Sequence, residues 1–306
     1  MKIFNVLFAF SEASSLSWIG LRSWTGDICS FSGLTSQQAN LCRRSSFVAP
    51  AIKSAAETAT DACLNSMSDT LWGCNGIKSL PKEQPELSQP TQESAFLHAL
   101  ATGHLKNALE KFCRKGGKAD CDKFNHEQFA LEFSDVAAFE KKHFLFGLHN
   151  NKVGRQAADQ AKNTICKCHG PSGSCAQKTC WKASTNTAKM NKIIKEKYES
   201  AAKVPVRQLE ILPQGVFSSL ISDRLIFGKT SPNFCEVTRG RVCDATNSSG
   251  AGSCEEICCG RGSIQKISIE TEEVCTMEFV KIDGTTWPVG VSCKDEFYQK
   301  TTSTCR

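Results

Sequence analysis

Apolar residues recur at helical spacing along much of the chain's first two-thirds. Phe96, Leu97, Leu100, Ala101, His104, Leu105, Ala108, Leu109 and Phe112 fall on one stripe and predict the clearest helix. Past Pro50, Ala51, Ile52, Ala55, Ala56 and Ala59 form a small-residue face that ends near Cys63. Thr35 followed by Gln38 fits a capping box and marks an earlier helix start. A further helical stretch runs from about Ser134 to Ile165, with an interruption expected near Asn150 and Asn151. Another turns Met190, Ile193, Ile194 and Tyr198 inward and Lys189, Lys192 and Lys195 outward. Residues 76–92, with Pro81, Pro85 and Pro90 among polar residues, read as a surface loop. From Val204 to about Arg224 the pattern weakens, and Pro205, Pro213 and Gly215 predict a linker. Beyond it Ile267-Ser268-Ile269 alternates as a strand does. The expected fold is α+β. A helical N-terminal domain (16–204) carries a protruding hairpin (166–181). A linker (205–224) leads to a small β-rich C-terminal domain (225–306).

Composition adds the compartment. Eighteen cysteines in 306 residues are an even count, too many for an ordinary cytosolic chain, and predict nine disulfides formed in an oxidising compartment. None lies between Cys121 and Cys166 or between Cys180 and Cys235, where helices and linker need no staple. Lys2 and the apolar run Ile3 to Phe10, with small residues at Ala13-Ser14-Ser15, have the order of a signal peptide over residues 1–15. No later segment approaches the ~20 apolar residues of a membrane-spanning helix. The net charge of +6 favours loose association with acidic glycans such as heparan sulfate. No compact basic run supports a nucleic-acid site.

The candidate chemistry sits in Cys166-Lys167-Cys168-His169-Gly170-Pro171-Ser172-Gly173-Ser174-Cys175, closing with Cys180-Trp181. An antiparallel hairpin brings Cys168 to Cys175 and Cys166 to Cys180 as nested disulfides, and presents Ser172 at a stiff tip. His169 beside four cysteines matches a zinc cage in residue type, but an exported chain favours disulfides over thiolate ligands. A serine hydrolase would need the final glycine of a Gly-x-Ser-x-Gly elbow, which Ser174 replaces, and a carboxylate to orient His169. A plain turn serine is the remaining structural alternative.

This hairpin closely resembles the lipid-acceptor hairpin of the Wnt family of secreted signalling ligands. Leu148-His149-Asn150-Asn151-Lys152-Val153-Gly154-Arg155 resembles the family segment before it, and Gly33 to Arg43 the N-terminal signature. Trp72-Gly73-Cys74-Asn75, Glu93-Ser94-Ala95-Phe96, Ser231 to Cys235, Gly240 to Cys243 and Cys258 to Gly262 follow in family order.

The resemblance implies no enzyme and no cofactor beyond a covalent mono-unsaturated sixteen-carbon acyl chain on Ser172. That chain would be attached by the acyltransferase Porcupine, and the carrier Wntless would aid secretion. His169, Gly170, Pro171, Ser172 and Gly173 are then expected to meet the cysteine-rich domain of a Frizzled receptor. A second contact is expected from Phe279, Trp287, Pro288, Val289 and Val291, and an LDL-receptor-related co-receptor would complete the complex. Cys235, Cys243, Cys254, Cys258, Cys259, Cys275, Cys293 and Cys305 are expected to staple the C-terminal domain. Asn247-Ser248-Ser249 is the glycosylation sequon. The chain departs from the family pattern in places. Pro171 replaces an aliphatic residue or threonine, and Pro288 and Val289 replace two vicinal cysteines. Phe124 to Phe133 stands where another cysteine is usual. These losses motivate an alternative: a disulfide-rich secreted modulator on a Wnt scaffold that lacks full agonist activity.

Overall fold

Thr35 opens the first helix with reciprocal bonds. The Gln38 backbone N–H donates to Thr35 Oγ1 at 3.2 Å, and the Thr35 N–H donates to Gln38 Oε1 at 3.0 Å. This helix, α1, is Ser36–Arg44, and α2 is Ala49–Ser66 with Pro50 in its first turn. The computed structural model describes residues 14–82, 85–116, 121, 123–136, 141–205, 207, 222–247, 249–283 and 285–306. Residues 1–13 of the expected signal peptide and most of the expected linker lie outside those residues. The small face of α2 (Ala55, Ala56 and Ala59, all fully buried) packs on α4, Gln92–Gly116. A single turn, α3 (Pro85–Ser88), precedes α4. The 76–92 stretch is more than a surface loop, because Ile77, Leu80 and Leu87 are buried. Three prolines masked an apolar set too sparse to show a period.

Helix α5 (His126–Ser134) occupies the segment where the resemblance leads us to expect another cysteine. Phe129 stacks on Phe133 at 5.8 Å and meets Phe124 at a tilt of 53° and 5.4 Å, and Trp18 meets Phe133 edge-on at 5.6 Å. Aromatic packing thus supplies local cohesion there. Helix α6 (Lys141–Gln160) runs unbroken through Asn150 and Asn151, against the expected interruption, and ends before a strand begins at Lys162. Both asparagines are buried, and their amides serve other segments. Asn150 accepts the Ile226 N–H and donates to the Ile226 carbonyl, each at 3.0 Å. Asn151 donates to the Ser134 carbonyl at 2.8 Å and to Asp135 at 3.0 Å. Arg155 grips Asp135 through two bonds of 3.0 and 2.9 Å. At Gly154 a Cβ would stand 2.1 Å from the Ala99 carbonyl oxygen, so only glycine lets α6 lie this close to α4. The segment from His149 to Arg155 is therefore a helix-packing and clamping motif.

Strands β1 (Lys162–Cys168) and β2 (Lys178–Thr185) form the expected hairpin, followed by α7, Thr187–Glu199. Strands β3 (Ala202–Lys203) and β4 (Ile226–Phe227) pair in parallel within this first unit. The unit boundary falls between Pro232 and Asn233, beyond the expected 225, because β4 is held by β3 and Asn150. The second unit comprises Asp69–Trp72 and Asn233–Arg306. It holds a short β5 (Val242–Cys243), one turn of helix, α8 (Cys254–Ile257), and two long strands, β6 (Ser263–Ile282) and β7 (Thr285–Cys305), in the order β5-β7-β6. Its core is Cys243, Ile257, Cys258 and Cys305. Ile267 and Ile269, whose alternation predicts a strand, lie in β6 and stand exposed on the β6–β7 ribbon.

Candidate functional site

The hairpin is anchored at its base by hydrogen bonds and by charge. The Asn186 N–H donates to the Ala161 carbonyl at 3.1 Å, and Thr185 Oγ1 to the Ala158 carbonyl at 3.2 Å. Lys162, the first β1 residue, pairs with Asp159 at 3.0 Å and Glu110 at 3.3 Å. Lys106 pairs with the same Asp159 at 2.6 Å and with Glu127 at 3.4 Å. Burial opposes ionisation of Asp159. The hydrogen bonds from Lys106 and Lys162 outweigh it and hold the carboxyl below the usual range. Burial likewise opposes the Lys162 charge, and its bond to Asp159 and the Glu110 charge outweigh that, raising its pKa. Sequence reasoning missed this cluster: Asp159 and Lys162 are three positions apart, but its members span up to fifty-six positions.

Above the base, Cys166 sits opposite Cys180 and is bonded to it, with Cα atoms 4.1 Å apart. Cys168 is bonded to Cys175 across 4.6 Å. These are two of nine disulfides that take up all eighteen cysteines. Oxidation also removes the thiolates that zinc would need beside His169. The tip is closed by three backbone bonds: His169 N–H to the Gln177 carbonyl (2.7 Å), Gly170 N–H to the Ser174 carbonyl (2.8 Å) and Gly173 N–H to the Gly170 carbonyl (3.0 Å). A Cβ at Gly170 would meet Ser174 Oγ at 2.2 Å. Pro171, Ser172 and Gly173 form one 3-10 turn, with Ser172 in the left-handed region at φ 58° and exposed. A non-glycine residue there costs energy that the two staples hold in place. His169 and Gly173 are exposed and Gly170 is half-buried.

The hairpin also has a face that sequence reasoning did not single out. Ile165 lies directly opposite Trp181, both about half exposed, and Lys167 follows on the same face opposite Thr179. The i, i+2 spacing carries that signal, but only the register pairs the two apolar residues.

The second expected contact lies on the ribbon. Cys275 and Cys293 bridge β6 and β7, and the chain reverses between Ile282 and Thr285, with Asp283 at φ 50°. Trp287 stands on β7 opposite Val280, 57% exposed; Phe279 stands opposite Pro288, 59% exposed. Neither belongs to a core. The register shifts by one after Glu278, and Val289 is the extra residue of β7. Such a bulge accommodates Pro288, which cannot donate to a ladder. Phe279, Met277 and Val291 share one face, while Trp287 lies on the other. The expected apolar set is thus divided between two faces. Asn247 is exposed in a polar turn, where its Oδ1 accepts the Ser249 N–H at 3.3 Å.

A family model described as the wnt family matches residues 30–130 and 122–306. The chain belongs to the Wnt family. It is 30% identical to Wnt-11b-1 of Xenopus tropicalis, over 84% of this chain and 86% of that protein. It is 28% identical to Wnt-16 of Bos taurus, over 94% and 91%. Among solved structures, human Wnt8A, determined in complex with WLS, matches with a TM-score of 0.65 at 24% identity, covering 85% of this chain and 94% of that one. The fold is therefore Wnt-like, and Wnt proteins are secreted signalling ligands. Among the described residues no helix is long and apolar enough to cross a membrane.

Proposed function

We propose that this Wnt protein is acylated on Ser172 and grips the cysteine-rich domain of a Frizzled receptor with its hairpin and ribbon tip. The observation that carries the reading is the doubly stapled β1–β2 hairpin, which holds an exposed serine at a turn of fixed conformation. Burial of acyl carbons is worth ~0.8 kcal/mol per CH₂. A sixteen-carbon mono-unsaturated chain in a fitting groove therefore contributes on the order of 10 kcal/mol before ordering costs. The protein's part is to hold that chain on a stalk that loses little entropy on binding. Porcupine would attach it and Wntless would carry the product; the complex of the structurally similar Wnt8A with WLS supports the latter. An LDL-receptor-related co-receptor would join at the cell surface, with heparan sulfate retaining the basic protein nearby. A glycan on Asn247 fits its exposed turn.

A second reading, a Wnt-scaffold modulator without full agonist activity, is favoured by one observation. The bulge at Val289 puts Phe279 and Trp287 on opposite faces of the ribbon. The deciding experiment compares wild type with Ser172→Ala by intact mass and in a receptor-activation assay. Wild type is expected to carry the acyl mass and signal. The variant is expected to fold within ~0.5 kcal/mol of wild type, lack that mass and lose most activity. An alanine variant that signals at full strength would sink the acyl reading. Acylated wild type that binds Frizzled without activating it selects the modulator.

A further inference from the structure

The β6–β7 ribbon exposes an apolar face that no described residue of its own unit covers. Ile267, Ile269, Phe297, Met277, Val291 and Phe279 lie along it, and Phe297 is 74% exposed. Midway along this face Glu273 sits directly opposite Asp295, and on the reverse face Glu272 sits opposite Glu296. Like charges placed across a ladder destabilise it. Among the described residues none of these four carboxylates has a cationic partner. Residues 263–305 contain seven carboxylates against four lysines, in a chain whose net charge is +6. A second ribbon laid on this one would set acid against acid, so the complementary surface must be basic.

Such a surface exists on the same chain. Residues 162–182 contain four lysines and no carboxylate. Lys162 is paired at the hairpin base, but Lys167, Lys178 and Lys182 have no acidic partner among the described residues. The match extends to the order of side chains. On the hairpin face, the Ile165–Trp181 row is followed two residues on by Lys167. On the ribbon face, the row holding Phe297 opposite Thr271 is followed two residues on by Glu273 and Asp295. Both steps are two residues of strand, about 6.6 Å, so apolar rows and charged rows coincide.

We infer that the Ile165–Trp181–Lys167 face of one molecule docks on the Phe297–Glu273–Asp295 face of a second copy. The contact is head to tail: the two faces differ, each molecule has one of each, and association propagates to closed rings or open chains. It also covers the hairpin beside Ser172, so the assembled form is a storage form and the monomer the form free to engage a partner.

The test is sedimentation velocity on the full oxidised protein in its Ser172→Ala form, which excludes association through an acyl chain. At low salt the protein is expected to associate with rising concentration. Near 1 M salt, where charges are screened beyond about 3 Å, association should weaken at least ~10-fold, since each tenfold corresponds to about 1.4 kcal/mol. Lys167→Glu alone, and Glu273→Lys with Asp295→Lys, should each leave monomer. Mixing the hairpin variant with the ribbon variant should restore association, because opposite charges again face each other. All of these positions are exposed, and an unchanged disulfide map would verify folding of each variant. A monomer at every concentration and salt, association indifferent to charge reversal, or a mixture that stays monomeric would each overturn the inference.

Discussion

His104 shows how a single residue was visible to the sequence yet misjudged in kind. It falls on the apolar stripe of α4 and is buried, but its ring is held by Thr58 at Nδ1 and Asn191 at Nε2, each at 3.0 Å. Burial pushes its pKa down from 6.5 to about 4, and His98, bonded to Asn151, is lowered to about 4 in the same way. The unfolded imidazole takes up a proton near pH 6.5, whereas the folded one resists until about pH 4. Stability is therefore full above pH 6.5 and falls as pH drops across that window. Each histidine contributes on the order of 3 kcal/mol of that loss. Denaturant titrations at pH 7, 5.5 and 4 should show the decline, and His104→Gln should flatten part of it; equal stability at all three pH values would refute the assignment. Trp287 presents the opposite case. On the receptor reading proposed above, Trp287→Ala is expected to weaken Frizzled binding by about 2 kcal/mol or more while the melting temperature stays put, because the residue is exposed. A variant that melts early or is poorly secreted would make it structural.

Helices were legible where one apolar period ran long enough, as in α2, α4 and α7, and the α1 cap could be read from two residues. The continuity of α6 was not, because asparagine is a weak helix former and its partners at Ile226 and Ser134 are distant in sequence. The hairpin was legible from cysteine spacing, whereas the two-faced ribbon depended on a one-residue bulge that no composition reveals. Gly154 offers a direct check on α6. Gly154→Ala places a methyl carbon against the Ala99 carbonyl and should cost about 3 kcal/mol, seen as a lower thermal midpoint; an unchanged midpoint would mean α4 and α6 are not so close. Replacing Cys166 and Cys180 together by serine should loosen the hairpin without melting the helices, since two isolated strands are marginal in water. Hydrogen exchange should quicken in residues 162–185 alone. Exchange that quickens throughout α4 as well would show the bridge stabilising the body.

For the molecule as a whole, no disulfide joins a residue before Asn233 to one after it. Cyanogen bromide makes this visible through the four methionines, at 1, 67, 190 and 277. The cuts at Met67 and Met277 fall inside the loops closed by Cys63–Cys74 and Cys275–Cys293, so those pieces stay tied. The oxidised protein should therefore yield two species, parted only at Met190, and reduction should release four large fragments. A single oxidised species would mean that a bridge crosses between the units. The same locality bears on how the chain is made. Bridges that span 7 to 24 positions close soon after their second cysteine leaves the translocation pore. Oxidation can thus follow the order of synthesis, and few wrong partners are present when each thiol arrives. Cys258–Cys305 is the exception: it spans 47 positions and encloses the whole ribbon, including the Cys275–Cys293 pair. Cys258 must wait as a thiol while both ribbon cysteines pass it, so a delay or an error in secretion should leave its mark there first.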